Sequence, residues 1–247
     1  MQIIPTLELQ NGRCVTLRKG RMADPILWHV DPVETALGFV EAGASALRIT
    51  DFDAIAGAQG NDALIETLLR KVGVPVQIAG GIRSRERAEY WIDKGAGQVV
   101  IGTLAVQAPR VVMELAKYHP DMVVLSLDVW QGKLMTHGWN TPSAFTPEAF
   151  LDSFRDVPLA GVVVTDIDSD DEDVDAQLGL ITGLAAHTRH PVIASGVVDT
   201  LDDIARLKYV YNIAGVLVGR ALMRKTFALA DALSVAQESR EKVADFQ

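Results

Sequence analysis

The sequence predicts an α/β fold, a closed (βα)8 TIM barrel built from two (βα)4 half-barrels, for two reasons. Eight short apolar runs alternate with longer amphipathic segments along 247 residues, a common length for one such barrel. The second half of the chain also repeats motifs of the first half in the same order. We therefore expect a single domain over residues 1–247, with half-barrels over roughly 1–120 and 121–247.

The eight apolar runs are rich in Val and Ile and largely lack polar alternation, which is typical of parallel strands buried on both faces. They cover residues 3–9, 46–50, 74–79, 98–102, 122–127, 161–165, 191–195 and 215–219. An open, doubly wound sheet is the competing arrangement for alternating strands and helices.

The segments between these runs carry helix signals. Asp31 followed by Pro32 predicts an N-cap and a first helical residue. Residues 63–72 place their apolar side chains on one helical face. Ser84 and Thr146 are the expected caps of two further helices.

The internal repeat favours the closed barrel over the open sheet. The repeated pairs are LELQNGR at 7–13 with LDVWQGK at 127–133, TDFD at 50–53 with TDID at 165–168, IAGGI at 78–82 with IASGV at 193–197, and VIGTL at 100–104 with LVGRA at 217–221. Their offsets are 120, 115, 115 and 117 residues. Two copies of a four-strand unit close into an eight-stranded barrel, whereas an open sheet gives no comparable reason for matched halves.

The first repeated pair places an acid at the ends of the first and fifth strands. These acids, Glu8 and Asp128, lie on diametrically opposite strands at the face where this fold carries its catalytic groups. One acid with a raised pKa and one left ionised would supply an acid and a base. The alternative is that either acid caps a loop or pairs with a cation such as Lys19 or Arg48.

Four glycine-containing turns predict two anion sites on opposite rims. Glycine permits close backbone approach, and helix N-termini offer free N–H groups to an anion. One such turn alone is equally well explained by chain geometry, but two symmetric pairs indicate a substrate with two phosphates. The candidate binding residues are Gly80, Gly81, Arg83, Gly102, Thr103, Ser195, Gly196, Gly219, Arg220 and Lys19.

Three further residues complete the predicted site. Trp139 is a candidate for stacking on a flat heterocycle. Thr165 and Asp51 are expected to point towards the barrel centre if strand alternation holds. The five histidines lack ligand spacing, so we predict no metal, and the acidic run 169–175 is expected to be a solvated loop over the mouth.

Composition limits the classes of partner. A net charge of −9 argues against general binding to nucleic acid. The chain has no apolar run of about 18 residues and no signal-peptide pattern at its start, so we expect neither membrane association nor secretion. A single cysteine excludes an internal disulfide. The expectation is a cytoplasmic monomer that acts on a small molecule.

Taken together, these motifs resemble the half-barrel family of histidine biosynthesis over nearly the whole chain. The matching pieces are IPxxxLxxG near the start, GGIRS, IGT, SLDxxxGK with THGW, TDID and VGRAL. SLDxxxGK with THGW is similar to the isomerases of that family rather than to its cyclases.

The resemblance implies an Amadori rearrangement, in which a bisphosphorylated aminoaldose becomes an aminoketose without a cofactor. It implies that Glu8 is the general base, that Asp128 is the general acid, and that Thr165 supports the sugar hydroxyl groups. Two alternatives stay open: a related isomerase or lyase acting on another phosphorylated metabolite, and a binding protein without catalysis.

Four positions depart from the family pattern, and all are predicted at the mouth. Glu8 stands where the family has Asp, Ala79 replaces a Gly, Arg48 replaces an aromatic residue or His, and Asp171 lies in a strand-6 loop that usually reads DIDxDGT. These departures concern the choice of substrate rather than the fold.

Overall fold

A computed structural model describes residues 1–17, 21–58, 60–167 and 174–237, without the side chains of 174–177. The strands in this part of the chain are β1 (Gln2–Gln10), β2 (Arg13–Thr16), β3 (Ile26–Leu27), β4 (Leu47–Asp51), β5 (Val76–Ala79), β6 (Gln98–Ile101), β7 (Val123–Trp130), β8 (Lys133–Thr136), β9 (Thr141–Pro142), β10 (Gly161–Asp166), β11 (Val192–Ser195) and β12 (Ile213–Val218). The helices are α1 (Pro32–Glu41), α2 (Phe52–Ala56), α3 (Asp62–Lys71), α4 (Arg85–Asp93), α5 (Thr103–Gln107), α6 (Pro109–Tyr118), α7 (Pro147–Ser153), α8 (Val174–His187), α9 (Leu201–Leu207), α10 (Arg220–Arg224) and α11 (Leu229–Ala236).

Eight parallel strands of the described chain close into a barrel. The order is β1, β4, β5, β6, β7, β10, β11 and β12, with β12 pairing back to β1 and β7 pairing directly with β10. Every predicted strand falls on one of these eight. The closed barrel is therefore confirmed, and the open sheet is excluded because its two edge strands would stay unpaired.

Two hairpins that the sequence analysis did not predict extend β1 and β7. Asn11 and Gly12 have φ of 50° and 72°, and Gln131 and Gly132 have 48° and 69°. Two successive left-handed residues form the type I′ turn that matches strand twist. The repeated LELQNGR and LDVWQGK segments are thus a strand and a tight turn, which returns the chain as β2 or β8 beside the acid-bearing strand.

The core has two parts. The larger cluster lies between strands and helices and includes Leu7, Ile49, Leu125 and Trp91. The smaller one fills the barrel interior with residues from six strands, namely Ile4, Ala79, Val100, Val124, Val163 and Ile193. This smaller cluster closes the barrel interior beneath its mouth.

The predicted helix starts are confirmed. The Asp31 carboxylate accepts hydrogen bonds from the first turn of α1 at 2.8 and 2.9 Å, with Pro32 as the first helical residue. Ser84 and Thr146 cap α4 and α7 with their hydroxyl groups. Caps of this kind contribute about 1 kcal/mol each. Within the described chain, no helix has the length and apolarity needed to cross a membrane.

Candidate active site

One cavity of about 310 Å³ opens at the C-terminal ends of the barrel strands. This volume lies within the range of small-molecule sites. Thirteen of the fifteen predicted site residues line it: Glu8, Gly80, Gly81, Arg83, Gly102, Thr103, Asp128, Trp139, Thr165, Ser195, Gly196, Gly219 and Arg220. The fold therefore brings both acids and all four glycine turns to one space.

Two predicted residues are not placed in the cavity. Lys19 lies outside the described residues, as do Asp171 and most of the acidic run 169–175. The prediction that Asp51 points to the barrel centre is wrong. Arg48 and Thr50 take the inward positions on β4, so alternation turns Asp51 outwards.

Asp51 instead belongs to a buried polar cluster behind the site. Its carboxylate accepts hydrogen bonds from Asn61 at 2.7 Å and from the backbone of Ala54 at 3.1 Å, which caps α2. Asn61 also donates to Asp53 at 2.8 Å, and Asp53 accepts from the backbone of Asn11 at 2.6 Å. The cluster thereby fixes the turn that follows Glu8.

Glu8 lies on β1, in register with Thr50 of β4, and reaches the cavity half-buried. Burial raises the pKa of Glu8 from its ordinary value of 4.5 to about 7. The positive charges of Arg220 and Arg48 act against this rise. Near neutral pH, Glu8 therefore exists in both protonation states, which suits a group that accepts a proton and returns it.

Asp128 occupies the equivalent place on β7, in register with Thr165 of β10. Burial raises the pKa of Asp128 above its ordinary value. Hydrogen-bond donors on Trp139, Thr165 and Ser126, together with the charge of Arg48, oppose the rise without cancelling it. A carboxyl group of raised pKa holds a proton at a pH where an exposed Asp has lost it.

The loop that carries Trp139 has an uncommon backbone. His137, Gly138 and Trp139 all have left-handed φ, at 55°, 63° and 68°. The His137 N–H donates to the Thr103 hydroxyl group at 2.9 Å, and the Asn140 amide donates to the carbonyl groups of His137 and Gly138 at 2.8 and 3.0 Å. These contacts hold the indole ring at the Asp128 side of the cavity.

The glycine turns lie on opposite rims, as the repeat predicts. On one rim, Gly81 follows β5 and Gly102 precedes α5; on the other, Gly196 follows β11 and Gly219 precedes α10. Among the described residues, neither α5 nor α10 has a side-chain N-cap hydrogen bond, and the first residues of both helices, with their backbone N–H groups, line the cavity mouth. Such N–H groups are a ready partner for an anion.

The predicted cations are held at these rims by other groups. Arg83 donates to the carbonyl oxygen of Ile55 at 2.6 Å. Arg220 pairs with Asp199 at 3.3 Å and also acts on the ionisation of Glu8. Both guanidinium groups are therefore oriented before a ligand arrives.

Several cavity residues were not among the predicted site residues, although period-two alternation would have found them. Thr6 and Ser126 lie two residues before Glu8 and Asp128, so they face the same side of their strands. Thr50 and Arg48 face inwards on β4 for the same reason. Among the described residues, no group of three or more His, Cys, Asp or Glu side chains is arranged to hold a metal ion.

Known proteins resemble this chain over its full length. Residues 2–228 match the family described as histidine biosynthesis protein. The chain is 64% identical to a Ruegeria pomeroyi protein named 1-(5-phosphoribosyl)-5-((5-phosphoribosylamino)methylideneamino) imidazole-4-carboxamide isomerase 2, over 100% of both chains. It is 59% identical to isomerase 1 of that name from a Ruegeria species, over 100% of both chains. A Prochlorococcus marinus isomerase of that name is 37% identical, over 95% of this chain and 93% of its own.

Proposed function

The chain belongs to the histidine biosynthesis protein family, and we propose that it is the isomerase that rearranges phosphoribosylformimino-aminoimidazole-carboxamide ribotide (ProFAR) to its aminoketose. One observation carries this proposal. Glu8 and Asp128, 120 residues apart, face a single cavity between two glycine-lined rims. A substrate with a phosphate at each end would place its reacting sugar between the two acids.

The first step needs a proton donor. Asp128, whose pKa is raised by burial, gives a proton in its protonated form to the ring oxygen of the aminoaldose. The bond from that oxygen to the anomeric carbon breaks, and the nitrogen lone pair forms a C=N bond in its place. Thr165, level with Asp128 on the next strand, is placed to hydrogen-bond to the sugar hydroxyl groups.

The second step needs a proton acceptor. The Glu8 carboxylate removes the proton from the neighbouring sugar carbon, and the electron pair moves to give an enolamine. Tautomerisation of the enolamine to the ketone completes the Amadori rearrangement. Atoms and electrons balance within the substrate, so the chemistry requires no external oxidant, reductant or cofactor.

The phosphates are bound by the two rims. Backbone N–H groups at Gly81 and Gly102 take one, and those at Gly196 and Gly219 take the other. Arg83 and Arg220 add charge-assisted hydrogen bonds to these anions. Anchoring both ends fixes the sugar between the acids, and such positioning can supply several kcal/mol of rate acceleration.

The test is turnover of ProFAR by the purified protein, followed by chromatographic separation of aminoaldose and aminoketose. We expect conversion without added cofactor and none with the matched variant that lacks both acids, Glu8→Ala with Asp128→Asn. Absence of conversion at high enzyme concentration contradicts the proposal.

A second candidate is supported by Glu8 and Arg48, which depart from the family pattern inside the cavity. Here the same rearrangement acts on a different bisphosphorylated aminosugar. A higher kcat/KM with an aminosugar other than ProFAR would favour this candidate.

A further inference from the structure

A row of polar side chains crosses the barrel interior in one half only. Thr6, Arg48, Gln77 and Gln98 are in register on the neighbouring strands β1, β4, β5 and β6. The matching row of the other half, on β7, β10, β11 and β12, is Ser126, Val163, Ile193 and Gly215. Arg48, Gln77 and Gln98 are therefore polar at positions where the other half has Val163, Ile193 and Gly215.

Arg48 is the unusual member of this row. Its side chain is 5% exposed and lines the cavity one layer below Glu8. Its Nη1 donates to Gln77 at 3.4 Å, while its Nε–H, fully buried, has no hydrogen-bond partner among the described residues. A buried charge without full compensation destabilises the folded protein, so Arg48 is not explained by packing alone.

The hydrogen bonds of the row have one possible direction. At its lower end, Gln98 Nε2 donates to the carbonyl oxygen of Asp121 at 3.3 Å, and a carbonyl only accepts. Gln98 Oε1 then accepts from Gln77 Nε2 at 2.8 Å, which turns Gln77 Oε1 towards Arg48. A guanidinium group only donates. The backbone carbonyl of Asp121 thus sets the orientation of both glutamine amides. The Gln77 amide in turn orients the guanidinium group of Arg48.

We propose that Gln98, Gln77 and Arg48 form a positioning row that holds a fixed positive charge beneath the two acids and thereby favours the ionised form of Glu8, in which it can accept a proton. The role assigned to Glu8 rests on the proposed function. Arg48 acts through Glu8 and is a positioning residue.

The electrostatics agree with this geometry. Burial lowers the pKa of Arg48 to about 10, and Asp128 and Glu8 raise it in return. Arg48 therefore stays charged at neutral pH, and its charge counters the burial that raises the pKa of Glu8. The other charged side chains lining the same cavity are Arg83, Asp128, Asp166 and Arg220.

The test is a titration of Glu8 that needs no substrate. Side-chain carboxyl resonances of 13C-labelled glutamate are followed with pH, and Glu8 is assigned by its loss in Glu8→Gln. Arg48→Met removes the charge and keeps an unbranched side chain. We expect the Glu8 midpoint to rise by about one pH unit, since a nearby opposite charge lowers a carboxyl pKa by one or more units.

Three matched variants separate charge from packing. Arg48→Lys restores the charge and should return most of the shift. Gln77→Leu keeps the charge and removes its hydrogen-bond partner, so it should give a smaller rise. Arg70→Met makes the same substitution on an exposed helix face and should leave the midpoint unchanged.

Activity gives a second readout. In Arg48→Met the acid limb of the kcat profile should move to higher pH, with kcat recovering on the alkaline side, whereas a packing defect lowers kcat at every pH. An unchanged Glu8 midpoint in Arg48→Met overturns the proposal. If the Glu8 midpoint rises in Arg48→Met but the wild-type protein does not convert ProFAR, the result supports the positioning row and contradicts the proposed function.

Discussion

The two half-barrels place an acid at the same point but control it by different means. Burial raises the pKa of both acids. At Glu8 the charges of Arg220 and Arg48 oppose this rise. At Asp128 the first opposition comes from hydrogen-bond donors on Trp139 and Thr165. Charges act over several ångströms and tolerate small movements, whereas hydrogen bonds require direct contact. The repeat therefore supplies two acids at equivalent positions, and the groups around them differ.

The largest expected effect is on the acid of the first half. Glu8→Ala should lower kcat by about 10⁴-fold, the upper range for loss of an acid–base group, because no other side chain of β1 that faces the cavity can accept a proton. Single-turnover kinetics with ProFAR measure this directly. Glu8→Asp is the matched control: its carboxylate recedes by about 1 Å, and activity should fall far less. Substantial residual activity in Glu8→Ala removes Glu8 from the base role.

Removing the same carboxyl group should also make the protein more stable at alkaline pH. Folding raises the pKa of Glu8 from 4.5 to about 7, so its contribution to stability is complete below pH 4.5 and lost as the pH rises through 7. The difference corresponds to about 3 kcal/mol at about 1.4 kcal/mol per pH unit, reduced by water reaching the half-buried group. Urea unfolding of Glu8→Gln should show a gain over wild type at pH 8.5 and little difference at pH 4.5. A constant difference across this range contradicts the raised pKa.

The acid of the second half should be needed for ring opening but not for binding. Asp128→Asn keeps the shape of the side chain and loses the proton that it donates. We expect kcat to fall about 10²-fold or more with KM nearly unchanged. Steady-state kinetics on this variant decide the matter, and near wild-type turnover excludes Asp128 from the chemistry.

The two rims should differ in their tolerance of a side chain. A Cβ at Gly81 would lie 2.5 Å from the Cβ of Ala54, at a φ of +67°. Within the described part of the chain, a Cβ at Gly196 would meet only Thr165, at 3.9 Å and a φ of +84°. Gly196→Ala should therefore cost about 1 kcal/mol for left-handed backbone alone, and Gly81→Ala about 3 kcal/mol because overpacking is added. Urea unfolding of both variants compares them. Equal losses would show that the two rims are packed alike.

The smallest effect concerns the donor on Trp139. Trp139→Phe keeps an aromatic ring and removes the indole N–H, which lowers the pKa of Asp128. The alkaline limb of the kcat profile should move to higher pH, because Asp128 then holds its proton more tightly. At the optimum, kcat should fall about fivefold, the value of one hydrogen bond. A pH profile identical to wild type would mean that Trp139 acts only through its ring.

The fold was predictable because parallel barrel strands leave a strong signal. Runs such as 122–127 and 161–165 contain little besides apolar residues, and the offset of 120 residues between Glu8 and Asp128 indicates closure. Helix starts were equally readable, since Asp31 and Ser84 are local caps. Asn11-Gly12 is also a hairpin-turn signal in the sequence.

The side-chain directions were harder to predict. The sequence prediction directs Asp51 towards the barrel centre. Side chains alternate between the two faces of a strand, so an error of one residue reverses the predicted direction. The pairing of β4 with β1 shows which residues face inwards. Arg48 was recognised as a departure from the family pattern. The row of Arg48, Gln77 and Gln98 could not be predicted from the sequence. These residues become neighbours only because their strands pair in the sheet, and they share no regular spacing along the chain.

The left-handed backbone conformation of His137, Gly138 and Trp139 affects what one half of the barrel can do when it is separated from the other. Such backbone costs about 1–3 kcal/mol per strained residue, and the Thr103 hydroxyl group that accepts from the His137 N–H belongs to the other half. A fragment starting at residue 121 lacks Thr103, so it loses this hydrogen bond to the loop that carries Trp139. Each half can carry its own acid, yet the finished geometry of one acid is built by the other half.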